Sequence, residues 1–387
     1  MNIQDKDQFG FYKVGDLKFY SKLQALEMQQ HTNTFPTWHF NESTFKNIDW
    51  SIEPKESLSE LYKKRAQQIR EKYDYIVIWY SGGADSENVV QSFLSNGIKV
   101  DELASYNNYD ATKDTDDWFN NEIHKLAVPR YKKIFKEMQP DLKHRIVDVS
   151  NLIINHFKTK NTGSDWIYNQ NSMLGPNNAS RHPVRYTVPE WDKIINSGKK
   201  FAFIWGCEKP RLYKINGKYC IRFIDIVDHA VSPIQQIMPR AGEFDELFYW
   251  SIDLPELIIK QGHVIKNFLK LCHNDSEHLQ KEPTYLGCAW KEEDNGTKKW
   301  LTINRLHSLI YPKYSYSPHV QGKIGTMILT PRDKWFFNLS DDVESRKNWR
   351  IGLEKLWSTL SDYWKNNPAD ITKGLTQMLS IPYFLEK

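Results

Sequence analysis

The sequence predicts an α/β fold, a parallel twisted sheet with helices on both faces. Two short apolar runs, Tyr75–Tyr80 and Phe201–Trp205, do not alternate in polarity, so each reads as a strand buried on both sides. Segments of helical periodicity separate them from two further β-rich runs. Strands that alternate with helices pair in parallel, because each return crossing carries a helix.

Residues 1–54 read as an aromatic-rich N-terminal extension, in which FYKVGDLKFY turns at Gly15-Asp16 as a hairpin. Residues 55–240 read as the α/β domain. Pro54 precedes Ser57-Leu58-Ser59-Glu60, a capping box that opens a helix. Leu58, Leu61, Tyr62, Ala66 and Ile69 share its apolar face, and Lys63, Lys64, Arg65 and Glu71 are expected on the solvated one. After the strand Tyr75–Tyr80 comes a Gly-containing turn, then a helix whose end Asn96-Gly97 marks. A strand over 98–105 and a helix over 117–138, interrupted at Pro129, follow. The remaining elements are a strand over 145–149, helices over 151–157 and 189–196, and the strand Phe201–Trp205. Asn216-Gly217 lies between two β-rich runs within 212–224, a strong hairpin signal. Residues 241–387 read as a mainly helical C-terminal region packed on the α/β domain, with helices over 256–271 and 342–364. Pro255 suits the first turn of the former.

Composition narrows the class. Of 387 residues 40% are hydrophobic and 14% aromatic, which excludes a wholly disordered chain. No apolar run approaches the ~20 residues of a membrane span. MNIQDKDQFGFYK has no basic-then-apolar leader pattern, so a soluble, cytoplasmic protein without a membrane partner is expected. A net charge of +4 gives no support for nucleic acid, which calls for a concentrated basic patch. Cys207, Cys220, Cys272 and Cys288 form no C-x-x-C and are expected as reduced thiols.

The turn after the first buried strand is Ser81-Gly82-Gly83-Ala84-Asp85-Ser86, physically an anion site. Two glycines let backbone N–H groups converge on a ligand, and the helix that follows adds its positive dipole end. Ser81 and Ser86 add hydroxyl donors. Asp85 beside a phosphate makes sense with a Mg²⁺ between them, or as a helix cap. The chain has neither a G-x-x-x-x-G-K-[ST] loop nor a G-x-G-x-x-G after a strand.

That hexamer resembles the S-G-G-x-D-S signature of the PP-loop ATP pyrophosphatases, a Rossmann-like superfamily that includes GMP synthetase, asparagine synthetase, tRNA-modifying adenylating enzymes and the PAPS reductases. The resemblance covers about residues 70–240. The whole-chain pattern also resembles PAPS reductase-like proteins of large tailed bacteriophages, which would place it in a host cytoplasm. It implies ATP and Mg²⁺, with Ser81, Gly82, Gly83, Ala84, Asp85 and Ser86 on the β,γ-pyrophosphate and Asp85 on the metal. It puts the adenine at the tip Ala104-Ser105-Tyr106-Asn107, with Ser105 and Asn107 as contacts. A later strand tip, Gly206-Cys207-Glu208-Lys209-Pro210-Arg211, would reach the phosphates. There Gly206 permits close approach, and Lys209 and Arg211 neutralise developing charge.

Arg181, His182 and Arg185, in a long polar segment before the fourth strand, are candidates for an anionic acceptor substrate and a general base; the plain alternative is a surface loop whose arginines pair with carboxylates. Asp225, Asp228 and His229 are a weaker metal set, and Lys260 and His263 share a helix face. Three functions compete. One is an AMP-forming adenylating enzyme acting on an unidentified acceptor. Another is a PAPS reductase, disfavoured because no E-C-G-[LI]-H segment is present. The third is a non-catalytic nucleotide-binding or assembly module.

Overall fold

Strand β4 (Tyr75–Trp79) is apolar on both sides, and the fold uses both sides. The structure, a computed structural model, describes residues 4–112, 123–158, 164–169, 175–179, 183–206, 210–225, 240–271, 284–285, 289–292, 298–301, 308–313, 333–340, 343–359 and 378–387. β4 pairs in parallel with β5 (Glu102–Asn107) on one edge and β7 (Phe201–Trp205) on the other. β6 (Lys143–Asp148) extends the sheet beyond β5, and β10 (Glu243–Leu247) extends it beyond β7. The order is therefore β10-β7-β4-β5-β6, all parallel.

The chain moves outward from β4 to β6, then returns to the other side of β4. Right-handed crossovers must then lie on opposite faces before and after that reversal. Tyr80 accordingly meets Phe135 of the 123–138 helical run on one face, while Trp79 meets Trp191 of the helix Pro189–Asn196 on the other. The reversal falls between β4 and β7, and open α/β sheets place their ligands at the carboxyl ends of the strands at such a point.

Ahead of β4, the helix Leu58–Lys72 begins with both bonds of its capping box. Ser57 N–H donates to Glu60 at 2.7 Å, and Glu60 N–H donates to Ser57 Oγ at 3.3 Å. Arg65 of this helix is not on the solvated face. It is wholly buried and binds the Glu246 carboxylate at 2.7 Å and the Phe248 carbonyl at 3.2 Å. The helix Ala84–Leu94 follows β4. Within 123–138, π turns at Ile123–Ala127 and Tyr131–Phe135 flank the Val128–Arg130 turn that holds Pro129. Proline removes one helical donor, and the wider turns accommodate the mismatch.

The sheet does not stop at residue 240, because β10 belongs to it. Its sequence, Glu-Phe-Asp-Glu-Leu, hides this: three of five residues are acids. Each acid has a cation waiting on its own face. Arg185 binds Glu243 at 2.6 Å and Asp245 at 2.9 Å, and Arg65 and Lys72 bind Glu246 from the other side at 2.7 and 2.6 Å.

In the N-terminal extension, β1 (Phe11–Val14) pairs with β2 (Leu17–Phe19) as the expected hairpin and with β3 (Thr37–His39) on its other edge. The second hairpin, β8 (Arg211–Ile215) with β9 (Lys218–Arg222), turns on Asn216 and Gly217, both at positive φ. Phe45 of the extension stacks on Phe223 after this hairpin, Phe40 meets the same ring at a tilt, and Tyr383 pairs with β9 at Ile221. One hydrophobic core thus contains residues of all three expected regions. No helix among the described residues is long and apolar enough to cross a membrane.

Candidate functional site

The Ser81–Ser86 turn leaves β4 beside the sheet reversal and opens the helix Ala84–Leu94. Gly82 takes φ +77, and a Cβ there would stand 3.0 Å from the Ala127 backbone. Two hydroxyls brace the turn. Ser81 N–H donates to Ser86 Oγ at 3.2 Å, Gly83 N–H donates to Ser81 Oγ at 3.3 Å, and Ser86 Oγ donates to the Gly83 carbonyl at 3.1 Å. Gly83 caps the helix without a side chain, which leaves the first-turn N–H groups directed out of the helix end.

Asp85 and Glu87 stand in that first turn. Glu87 is ion-paired with Arg130. Asp85 is half-buried, and its carboxylate accepts a hydrogen bond from the Tyr311 hydroxyl. Its carbonyl accepts from Tyr249 at 2.7 Å, and Tyr249 in turn accepts from Asn88 Nδ2 at 3.0 Å. Burial pushes the Tyr62, Tyr249 and Tyr311 phenols upward, and the Asp85 charge pushes the same way, so all three stay neutral donors. Beside them Ala84, Glu87, Asn88, Gln91, Tyr311 and Lys313 line a cavity of about 10 Å³, room for one water. Tyr249 and Tyr311 carry no signal in the sequence, since both lie more than 160 residues along the chain from Asp85.

The other expected residues divide sharply. Ser105 is buried, donates to the Tyr80 carbonyl and meets His144 Nε2 at 2.8 Å. With the hydroxyl proton on Tyr80, the neutral His144 must donate from Nε2. Burial, with His124 nearby, pulls His144 down to about 4. Asn107 is also buried, and its carbonyl accepts from Val149 N–H at 2.7 Å. The Ser105 hydroxyl is thus committed within the sheet, whereas Asn107 is the last residue of β5 and stands at the strand tip. Gly206 does permit close approach, but by the helix: a Cβ there would sit 3.1 Å from Ser86 Cα and 3.2 Å from the Asp85 carbonyl.

Arg185 is not in an exposed loop. It is fully buried in its pairs with Glu243 and Asp245, with its guanidinium 4.7 Å over the Phe203 ring. Arg211 begins β8, in register with Arg222. Arg181, His182 and Lys209 lie outside the described residues, as do Asp228 and His229. Asp225 is held by Lys22 at 2.6 Å, both buried, and by Tyr12 at 2.9 Å, which accounts for it without a metal. Lys260 and His263 tie their helix to the extension through Glu53 at 2.8 Å and the Trp50 carbonyl at 2.9 Å. Cys220 is buried, and burial pushes its thiol up to about 12, far from a reactive thiolate.

Among the described residues no cluster of three or more His, Cys, Asp or Glu forms a metal cage. A single carboxylate at the anion end of a helix still suits Mg²⁺, which characteristically takes one or two carboxylates together with substrate phosphates and water. No protein-family model matches the chain, and no curated protein gives a significant match to it.

Proposed function

We propose that the protein is an adenylating enzyme of the PP-loop type, which cleaves ATP to AMP and pyrophosphate while activating an acceptor. The observation that carries this is the placement of Ser81–Ser86 at the carboxyl end of β4, beside the reversal of strand order and at the open N-terminus of the helix Ala84–Leu94. Open α/β sheets bind ligands at that point, and helix N-termini bind phosphates.

The Gly82 N–H and the first-turn N–H groups hold the pyrophosphate portion, with Ser81, Gly83 and Ser86 keeping the turn in shape. Asp85 would hold Mg²⁺, which would supply charge neutralisation on the phosphates. An acceptor oxygen attacks the α-phosphorus, the bond from the α-phosphorus to its bridging oxygen breaks, and pyrophosphate leaves with the electron pair. A second nucleophile then displaces AMP. Lys209 and Arg211 are assigned to the departing charge, and Arg181 and His182 to the acceptor. Arg185 drops out of that set because its guanidinium is committed to two buried carboxylates. Ser105 drops out as an adenine-contacting side chain because its hydroxyl is committed to the Tyr80 carbonyl and His144, and Asn107, at the tip of β5, keeps that assignment.

The test is to incubate the protein with Mg²⁺ and α-labelled ATP, with and without pooled metabolites and nucleic acid, and to identify the nucleotide product. AMP with pyrophosphate, lost in Ser81→Ala and Asp85→Asn, is the expected result. No AMP and no ATP binding by calorimetry overturns the proposal, and binding without AMP under any acceptor pool reduces it to a nucleotide-binding module.

A further inference from the structure

We propose that Tyr311 is a positioning residue that holds the Asp85 carboxylate in place for the metal–nucleotide complex, an inference that rests on the adenylation reading above. Tyr311 lies 226 residues after Asp85, and its hydroxyl donates to Asp85 Oδ1. The ring is 1% exposed and packs on Tyr249, centroids 5.8 Å apart. Its own segment is anchored: Tyr62 donates to the Ile310 carbonyl at 2.6 Å, and Gln261 donates to Tyr62 at 2.7 Å. Tyr249 fixes the other end of the same residue through the Asp85 carbonyl. Asp85 is thereby gripped at backbone and side chain by tyrosines from two distant segments.

A hydrogen bond from a neutral phenol orients a carboxylate without neutralising it. A carboxylate has about four lone-pair positions, so one such bond is compatible with a cation on the same group. Displacing the phenol would strand a buried donor, which favours its staying in place when ligand arrives. Partners of this kind fix ligating carboxylates at metal sites, and their loss typically weakens metal binding by about 10- to 100-fold.

The experiment is calorimetric titration of the full chain with ATP, once in Mg²⁺ and once in EDTA, for wild type, Tyr311→Phe, Asp85→Asn and the double variant. Thermal unfolding of each checks the fold. Phe keeps the ring and removes only the hydroxyl. Tyr311→Phe is expected to weaken binding about tenfold or more in Mg²⁺ and to leave binding in EDTA nearly unchanged. In the Asp85→Asn background the same change is expected to add nothing, because its effect runs through the carboxylate. Equal weakening with and without metal, equal weakening in the Asp85→Asn background, no effect at all, or tighter binding each overturns the positioning role. Wild type that binds no ATP in Mg²⁺ overturns the adenylation reading itself. Wild type that binds while Tyr311→Phe is silent overturns this inference alone.

Discussion

Gly206 shows how a residue chosen for one reason can serve another. The sequence places it at a strand end where a ligand would approach closely, yet the nearest atoms to its missing Cβ are Ser86 Cα, Val89 Cγ2 and the Asp85 carbonyl. It lets β7 end against the helix that carries the anion site, and so sets where that helix begins relative to the sheet. Gly206→Ala is expected to lower stability by about 1–3 kcal/mol in denaturant titrations, since two of the three contacts are backbone atoms that cannot swing away. Unchanged stability would mean that the helix and strand are free to separate there. Ser81 and Ser86 were legible as residues of the turn because the bonds that brace it are local. Asp85 was legible only in part, because its tyrosine partners come from chain segments with no periodicity relation to it.

At the scale of elements, local signals gave reliable elements and distant ones did not. The capping box at Ser57 and the Asn216-Gly217 turn are written within four residues, and both form. Strand β10 is the opposite case. Its acids carry no strand signal of their own, because the arginines that meet them on the two faces of the sheet, Arg185 and Arg65, lie far away in sequence. The same logic turned Arg65 from a solvated residue into a buried one. Removing one partner of such a pair leaves an uncompensated buried charge, which is strongly destabilising.

The contact between β5 and β6 through Ser105 and His144 also makes a pH prediction. Burial holds the His144 imidazole down to about 4, below the ~6.5 of an unfolded chain. Between those values the unfolded state binds the proton more readily, so stability falls as pH drops from about 6.5 toward about 4 and is fully present above that window. The contribution of this one group is at most about 3 kcal/mol. His156, likewise drawn to about 4 by burial, adds to the same slope. Urea denaturation across this window should show the decline, and His144→Gln should flatten it. An unaltered slope in that variant would assign the acid sensitivity elsewhere.

For the molecule as a whole, the three regions expected from the pattern of elements along the chain are tied together by buried links. Lys22 of the extension meets Asp225 after the second hairpin, and Met378 N–H donates to the same carboxylate at 3.2 Å. Lys266 donates to the Leu385 carbonyl at 2.9 Å, and Tyr383–Phe384 pairs with β9. Deleting residues 378–387 is therefore expected to abolish cooperative unfolding of the rest, read by circular dichroism on heating. A truncated chain that unfolds at the parent temperature would show the C-terminal end to be an appendage.

The central claim is that the Ser81–Ser86 turn receives the phosphates of ATP, and hydrogen–deuterium exchange tests it most directly. The full chain would be compared with and without Mg²⁺ and an ATP analogue whose α,β bridge is methylene, which the proposed reaction cannot cleave. Protection at the amides of Gly82 and residues 84–86, lost in Ser81→Ala, is the predicted result. A ligand that binds while those amides exchange at the unliganded rate would contradict the account.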